Sequence, residues 1–303
     1  MIEYSEVRYL LAKKPVDDRA LNQTVLSALR TQLAALASAA SRRLSVLEIG
    51  AGVGTMVSRL SDWNVIRDAD YTLVDSDRVS LEAAKGQLRE WAGPEALISG
   101  GQLHLGGPDR DLRVRLQHAN LLEHIAAPEN RERYDVVFAN AVLDLLELRP
   151  ALQLIWRACK PGALFWFTVN FDGETIFVPE LELDEQVMRL YHRSMDERVR
   201  DGRPAGDSKT GRRLLTLLPE SGASLESAGS SDWVVFPGKQ GYEGDEAYFL
   251  HHIVHTIDTA LQAYPELERQ SLDNWVRARH EQIERAQLCY IAHQLDVLGR
   301  APG

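Results

Sequence analysis

Val46-Leu47-Glu48-Ile49-Gly50-Ala51-Gly52-Val53-Gly54-Thr55 is the stretch that decides the fold. The short apolar run Leu44–Ile49 ends at a glycine, which reads as a buried strand; three alternate glycines then open a helix. Such a turn lets backbone approach a ligand with no Cβ in the way. A dinucleotide fingerprint needs glycines at its first, third and sixth positions, which here are Gly50, Gly52 and Thr55. The third glycine stands instead at Gly54. Glu48, just inside the strand end, repels a pyrophosphate and welcomes an ammonium group. A nicotinamide oxidoreductase is therefore disfavoured.

Outward from this stretch, strands and helices alternate. Tyr71–Val74 reads as a second strand, followed by a helix from Asp77 to about Trp91. A Gly-rich loop, Ser99–Gly107, leads to a third strand at Leu112–Gln117. Tyr134–Ala139 and Ala163–Val169 are the fourth and fifth, with a helix through Leu152–Cys159 between them. Alternation of this kind predicts a parallel sheet covered on both faces. Residues 1–43 read as one helical segment with an apolar stripe through Leu21, Val25, Leu26, Leu29, Leu33 and Leu36; Asp17 and Asp18 suit its start, Arg42 and Arg43 its end. After Asn170 the pattern breaks. A charged helix over 180–202, a loop over Asp201–Lys209 and a helix Arg212–Leu218 precede two strands, Ser224–Ser227 and Trp233–Phe236. Helices over about 244–263 and 269–298 follow, the last with an apolar face through Ile283, Ala286, Leu288, Ile291, Leu295 and Leu298. That face suits packing on its own domain or on a second copy, a possible homodimer.

E-x-G-x-G-x-G at Glu48–Gly54 resembles the first motif of the class I S-adenosylmethionine-dependent methyltransferases, whose ligand carries an ammonium and a sulfonium. Further matches follow in the family's order. Leu73-Val74-Asp75 places a carboxylate where the family's acid accepts from both ribose hydroxyls, with Ser76 next. His118-Ala119-Asn120-Leu121 stands where the family has an Asp that takes the adenine amine; Asn120 departs from that pattern, though an amide oxygen also accepts. Tyr134–Asn140 followed by Ala141-Val142-Leu143 looks like the fourth motif, with Asp144 where many members carry a His. Cys159-Lys160-Pro161-Gly162 resembles the turn into the fifth strand. Across roughly 44–236 the resemblance implies a Rossmann-like, seven-stranded, mostly parallel α/β sheet. It also implies S-adenosylmethionine as cofactor, bound by Glu48, Gly50, Ala51, Gly52, Gly54, Asp75, Ser76, Asn120, Leu121, Asn140 and Leu143.

The expected organisation is an N-terminal helical segment (1–43), the cofactor-binding domain (44–237) with a lid inserted at about 172–211, and a C-terminal helical extension (238–303). The lid stretch mixes aromatic, hydroxyl and cationic groups. Arg212 or Arg213 suits a bidentate clamp on a carboxylate or phosphate, and Asn170 and Asp172, at the turn closing the fifth strand, face the substrate in this fold. Candidate bases are His251, His255, Tyr191 and His192. His251 and His255 share a helix face at a spacing that can chelate a metal, but no third ligand at suitable spacing and no H-E-x-x-H accompany them, so no metal is expected.

Composition sets the outer bounds. With 303 residues and 45% hydrophobic side chains, the chain has ample length for a core. A net charge of −10 argues against a broad nucleic-acid surface. Cys159 and Cys289 form no disulfide framework and suit a reducing interior. No signal peptide opens the sequence and no apolar run approaches a membrane span, so a cytoplasmic protein with neither membrane nor nucleic-acid partner is expected. The reading is methyl transfer to an O, N or S atom of a small-molecule acceptor. The alternatives are an RNA or protein acceptor, for which 193–213 must form one continuous basic strip, and a non-catalytic S-adenosylmethionine-binding protein.

Overall fold

The glycine turn ends a strand at the centre of a ten-stranded sheet. In the computed structural model, which describes residues 2–107, 109–200 and 202–303, helices α1 (Glu6–Ala20) and α2 (Gln23–Ala39) precede β1 (Leu44–Ile49). Then come α3 (Thr55–Asp62), β2 (Asp68–Asp75), α4 (Arg78–Ala92), β3 (Ala96–Ser99), β4 (Gln102–Gly107) and β5 (Arg110–His118). The chain continues through α5 (Leu121–Ala126), β6 (Tyr134–Asn140), α6 (Leu148–Ala158), β7 (Cys159–Val178), α7 (Asp184–Asp196) and a small hairpin of β8 (Val199–Arg200) and β9 (Arg203–Pro204). It closes with α8 (Thr210–Glu220), β10 (Ser224–Ser230), β11 (Trp233–Val235), α9 (Glu246–Leu261), α10 (Arg269–Glu284) and β12 (Cys289–Arg300).

Strand order is β10-β12-β7-β6-β1-β2-β5-β4-β3, with β11 also on β12. The pairs β1–β2, β1–β6, β2–β5 and β6–β7 are parallel, and β12 runs antiparallel between β7 and β10. The inner strands are buried on both faces. Val46, Tyr71, Phe138 and Trp166 pack with α1, α2 and α9 on one side, and Leu47, Ile49, Val137 and Phe165 with α6 and α8 on the other. This is why the sequence shows apolar runs there instead of alternation. Each fully buried Phe or Leu contributes about 1.5–3 kcal/mol.

The expected Rossmann-like sheet is present, with three strands added to the seven. Ser99–Gly107 is no loop: Gly100 and Gly101, both at positive φ, make the two-residue turn of the β3–β4 hairpin. The seventh strand of the expected core is β12, not Trp233–Phe236, of which only Trp233–Val235 forms the short outer β11. The helix expected over 269–298 stops at Glu284. Beyond it Tyr290, Ala292, Gln294 and Asp296 are buried alternately, a period of two that the three- and four-residue spacing of Ile291, Leu295 and Leu298 concealed. Those residues lie in the sheet and present no free helix face.

Other boundaries move for local reasons. The N-terminal segment is two helices, because the Asn22 side chain accepts from Thr24 N and Val25 N at 3.1 Å each and caps α2. Asp17 and Asp18 therefore end α1. Their charge, unfavourable at a helix C-terminus, is met by Lys13 Nζ at 2.6 Å from Asp17, by the Trp233 indole at 2.9 Å from Asp17, and by the fully buried Arg59, which bonds Asp18. The charged helix expected over 180–202 is α7, shorter at both ends. In the 201–209 loop Asp201 lies outside the described residues. The turn expected at Asn170–Gly173 is continuous β7 instead, paired through Asn170 and Phe171 to Leu295 and Gln294. Among the described residues no helix is long and apolar enough to cross a membrane.

Asp296, fully buried in β12, ties these parts together. Its carboxylate accepts from Val169 N and Asn22 N, both at 2.8 Å. Replacing it with Ala orphans two buried donors and is expected to cost about 3 kcal/mol in denaturant unfolding, with Asn costing less because it keeps one acceptor oxygen.

Candidate active site

The site lies at the carboxyl ends of β1, β2, β5, β6 and β7, where open α/β sheets bind ligands. Gly50, Gly52 and Gly54 have φ of 65°, 52° and 72°. A Cβ on Gly50 would stand 2.5 Å from Val142, and one on Gly52 3.0 Å from Leu10 of α1, so the turn admits no other residue. Val74 O holds Gly50 N at 2.9 Å and Ala51 N at 3.2 Å.

Asp75 organises the neighbouring strand end. One carboxylate oxygen accepts from Gly52 N at 2.7 Å, the other from Asp77 N at 2.8 Å. Each oxygen keeps a lone pair, and the residue is only half-buried, which fits a pair of hydroxyls presented from outside. Ser76 is exposed beside it, its carbonyl 3.1 Å from His118 Nε2. Glu48 is buried and accepts from Tyr71 OH at 2.8 Å. Burial pushes it up to about 7, against the pull of that hydrogen bond and of Arg59.

Asn120 caps α5, its amide oxygen accepting from Leu122 N at 2.9 Å and Glu123 N at 3.4 Å. An amide replaces a carboxylate at a cap without loss, which accounts for the departure at this position. Leu121 flanks it. Asn140 Oδ1 accepts from Thr168 Oγ1 at 2.9 Å, and Leu143 is fully buried.

Residues 47–165, from β1 into β7, match the family model described as a methyltransferase domain. A solved structure from Bacillus halodurans, assigned as a methyltransferase, is similar in fold, with TM-score 0.51 and 12% identity over 90% of this chain and 99% of that one. A S-adenosylmethionine-dependent methyltransferase of Methanosarcina mazei aligns at TM-score 0.47 and 11% identity, over 88% and 97%. Another, from Thiobacillus denitrificans in complex with S-adenosylhomocysteine, aligns at 0.46 and 14%, over 92% of each chain. No curated protein matches the sequence.

The four candidate bases are not gathered together. His251 reaches across to α10, its Nδ1 2.7 Å from His280 Nδ1, and burial, with His280 beside it, pulls it down to about 4. His255 stacks on Tyr4 at 3.9 Å. His192 bonds Thr175 Oγ1 at 3.1 Å and lies against Phe171. Only Tyr191 lies beside Asp144 at the β6 end, its hydroxyl pushed up to about 12 by burial. The proposed substrate groups mostly satisfy one another. Arg212 Nε sits 2.9 Å from Asp172, Arg213 is 2.8 Å from Asp207, and the buried Asn170 donates to Leu295 O at 2.8 Å.

Sequence reading missed the roof over the site. Leu10 covers Gly52, Tyr9 stacks on His252 at 4.2 Å and on Phe249 at 5.8 Å, and burial raises the Tyr9 hydroxyl far above its ordinary range. Nothing in the spacing of Tyr4, Tyr9 and Leu10 links them to a glycine loop 40 residues on; only the tertiary fold does.

Two outcomes are expected. Asp75→Ala frees the Gly52 N–H and removes the carboxylate that ends β2, so calorimetric affinity for S-adenosylhomocysteine falls at least about tenfold. Glu48, protonated more readily when folded, withdraws stability as pH rises from about 4.5 towards 7. Glu48→Gln, which keeps an acceptor for Tyr71, should flatten the melting temperature across that window and leave it higher than native at pH 8.

Proposed function

We propose that the chain is an S-adenosylmethionine-dependent methyltransferase acting on a small molecule enclosed beneath α1 and α7, at an O, N or S nucleophile. The observation carrying this reading is the roof: Tyr9 and Leu10 of α1 close over the glycine turn, and Tyr191 of α7 flanks the β6 end beside them. Segment 172–211, with α7 and the β8–β9 hairpin, acts as the lid. A folded macromolecule does not fit under such a cover without displacing both elements. The basic strip that an RNA acceptor requires is also interrupted: Arg193 pairs with Glu266 at 2.7 Å, Arg212 with Asp172 and Arg213 with Asp207.

S-adenosylmethionine brings an electrophilic methyl on a sulfonium, so the chemistry needs alignment more than activation. In this reading Gly50, Ala51, Gly52, Gly54 and Glu48 hold the methionine end, Asp75 and Ser76 the ribose, and Asn120 and Leu121 the adenine. Asn140 and Leu143 shape the wall between cofactor and acceptor. The hydrogen bonds already made by Asp75 and Asn140 fix them before any ligand arrives, which lowers the ordering cost. The roof excludes water, a competing acceptor.

The test is transfer of a radiolabelled methyl from S-adenosylmethionine, comparing a small-molecule acceptor panel with total RNA and denatured protein. Label in small molecules, insensitive to salt between about 50 and 200 mM, is expected. Label in RNA that falls by about 10³ or more over that range would overturn the reading.

A further inference from the structure

Asp144 is the one carboxylate of the site with no obvious reason to be there. It follows Val142 and Leu143, the residues that pack on Gly50 and into the core, and so stands where β6 delivers the chain to the acceptor side. Its Oδ1 is shut off from solvent and has no hydrogen-bond partner among the described residues. Its backbone is fixed, since Asp207 N donates to Asp144 O at 3.3 Å. Burial raises its pKa, and every charged group in its field is accounted for. Arg198 from the end of α7 lowers it without hydrogen-bonding to it. Lys13 from α1 lowers it too, but is committed to Asp17 at 2.6 Å. Asp207 raises it. Tyr191 adds a phenol beside it, and Tyr9 stands next to Tyr191.

We propose that Asp144 is the acceptor-recognition residue and that the acceptor is an amine bound as its ammonium between the Asp144 carboxylate and the faces of Tyr191 and Tyr9. One N–H proton passes to Asp144, and the freed nitrogen lone pair then bonds the methyl as its S–C bond breaks and S-adenosylhomocysteine leaves. This rests on the small-molecule methyltransferase reading above. A carboxylate oxygen shut off from solvent without a partner is costly in the free protein, and a cation carrying N–H donors relieves that cost when it binds. Aromatic faces add to the attraction for an ammonium. A neutral isostere leaves Oδ1 unpaired in the complex, so a site of this kind rejects the alcohol that matches its amine. An anionic acceptor meets two carboxylates, Asp144 and Asp207, within one field.

The experiment incubates the full chain with radiolabelled S-adenosylmethionine and paired acceptors: benzylamine with benzyl alcohol, phenethylamine with phenethyl alcohol, and ethanolamine with ethylene glycol. At least one amine should be methylated and its alcohol left untouched. Asp144→Asn should then lose at least about 30-fold in kcat/KM, as expected when one partner of a charge pair is removed. The same variant should bind S-adenosylhomocysteine as the native enzyme does and melt no lower, because it sheds an unpaired buried charge. Methylation of alcohols only, turnover of no amine, undiminished amine turnover by Asp144→Asn, or a clearly lower melting temperature for that variant each overturns the proposal. Failure of the native chain to bind S-adenosylhomocysteine is a different result, and it removes the methyltransferase reading beneath.

Discussion

The hydrogen bond from Gly52 N to Asp75, 2.7 Å long, is the constraint on which the site depends. It joins the turn after β1 to the end of β2, two strands whose parallel register is set by the sheet from Leu44 opposite Ala69 to Ile49 opposite Val74. Only a backbone at positive φ can bring Gly52 N to that carboxylate, and only a residue without Cβ leaves room for Leu10 above it. The glycines, the acid and the first helix are thus one mechanical unit. A change at any of them moves the floor of the site.

That unit explains what the sequence made legible. The glycine spacing, the acids at Glu48 and Asp75 and the apolar runs of the parallel strands are local signals, and the central strands and the glycine-turn end of the candidate site follow from them. The acceptor end is different. Tyr9, Leu10 and Asp144 acquire meaning only when α1 crosses the glycine turn, and no local pattern reports a crossing. Asn120 is a milder case: its cap to α5 is visible in the sequence as a side-chain preference, yet the same residue reads equally as an adenine contact. The terminal strand failed for a further reason. Its buried positions mix period two with Leu and Ile at three- and four-residue spacing, so two templates fit and the wrong one is longer.

Charge is buried here with care. Arg59, fully enclosed, is answered by Asp17 and Asp18, and Asp17 is also answered by Lys13 and Trp233. This cluster bolts α1 to α3 and to β11, and on the other side Arg19 pairs with Glu246 at 2.5 Å and Ser5 N donates to Tyr248 OH at 2.7 Å, so ion pairs and hydrogen bonds join α1 to α9 beside the stacking of Tyr9.

The position of β12 has a consequence for how the molecule is made. It is the last strand in the chain, yet it lies inside the sheet, between β7 and β10, and it supplies the carboxylate that fixes both the α1–α2 junction and the bend at Val169. While the chain is being synthesised, β7 is left with a bare hydrogen-bonding edge from the moment it emerges until Arg300 clears the ribosome. At about 5–20 residues per second that interval lasts roughly six to twenty-four seconds. Throughout it an exposed, apolar strand edge is open to pairing with other chains, so the nascent protein is a natural client for chaperones in a way the finished one is not.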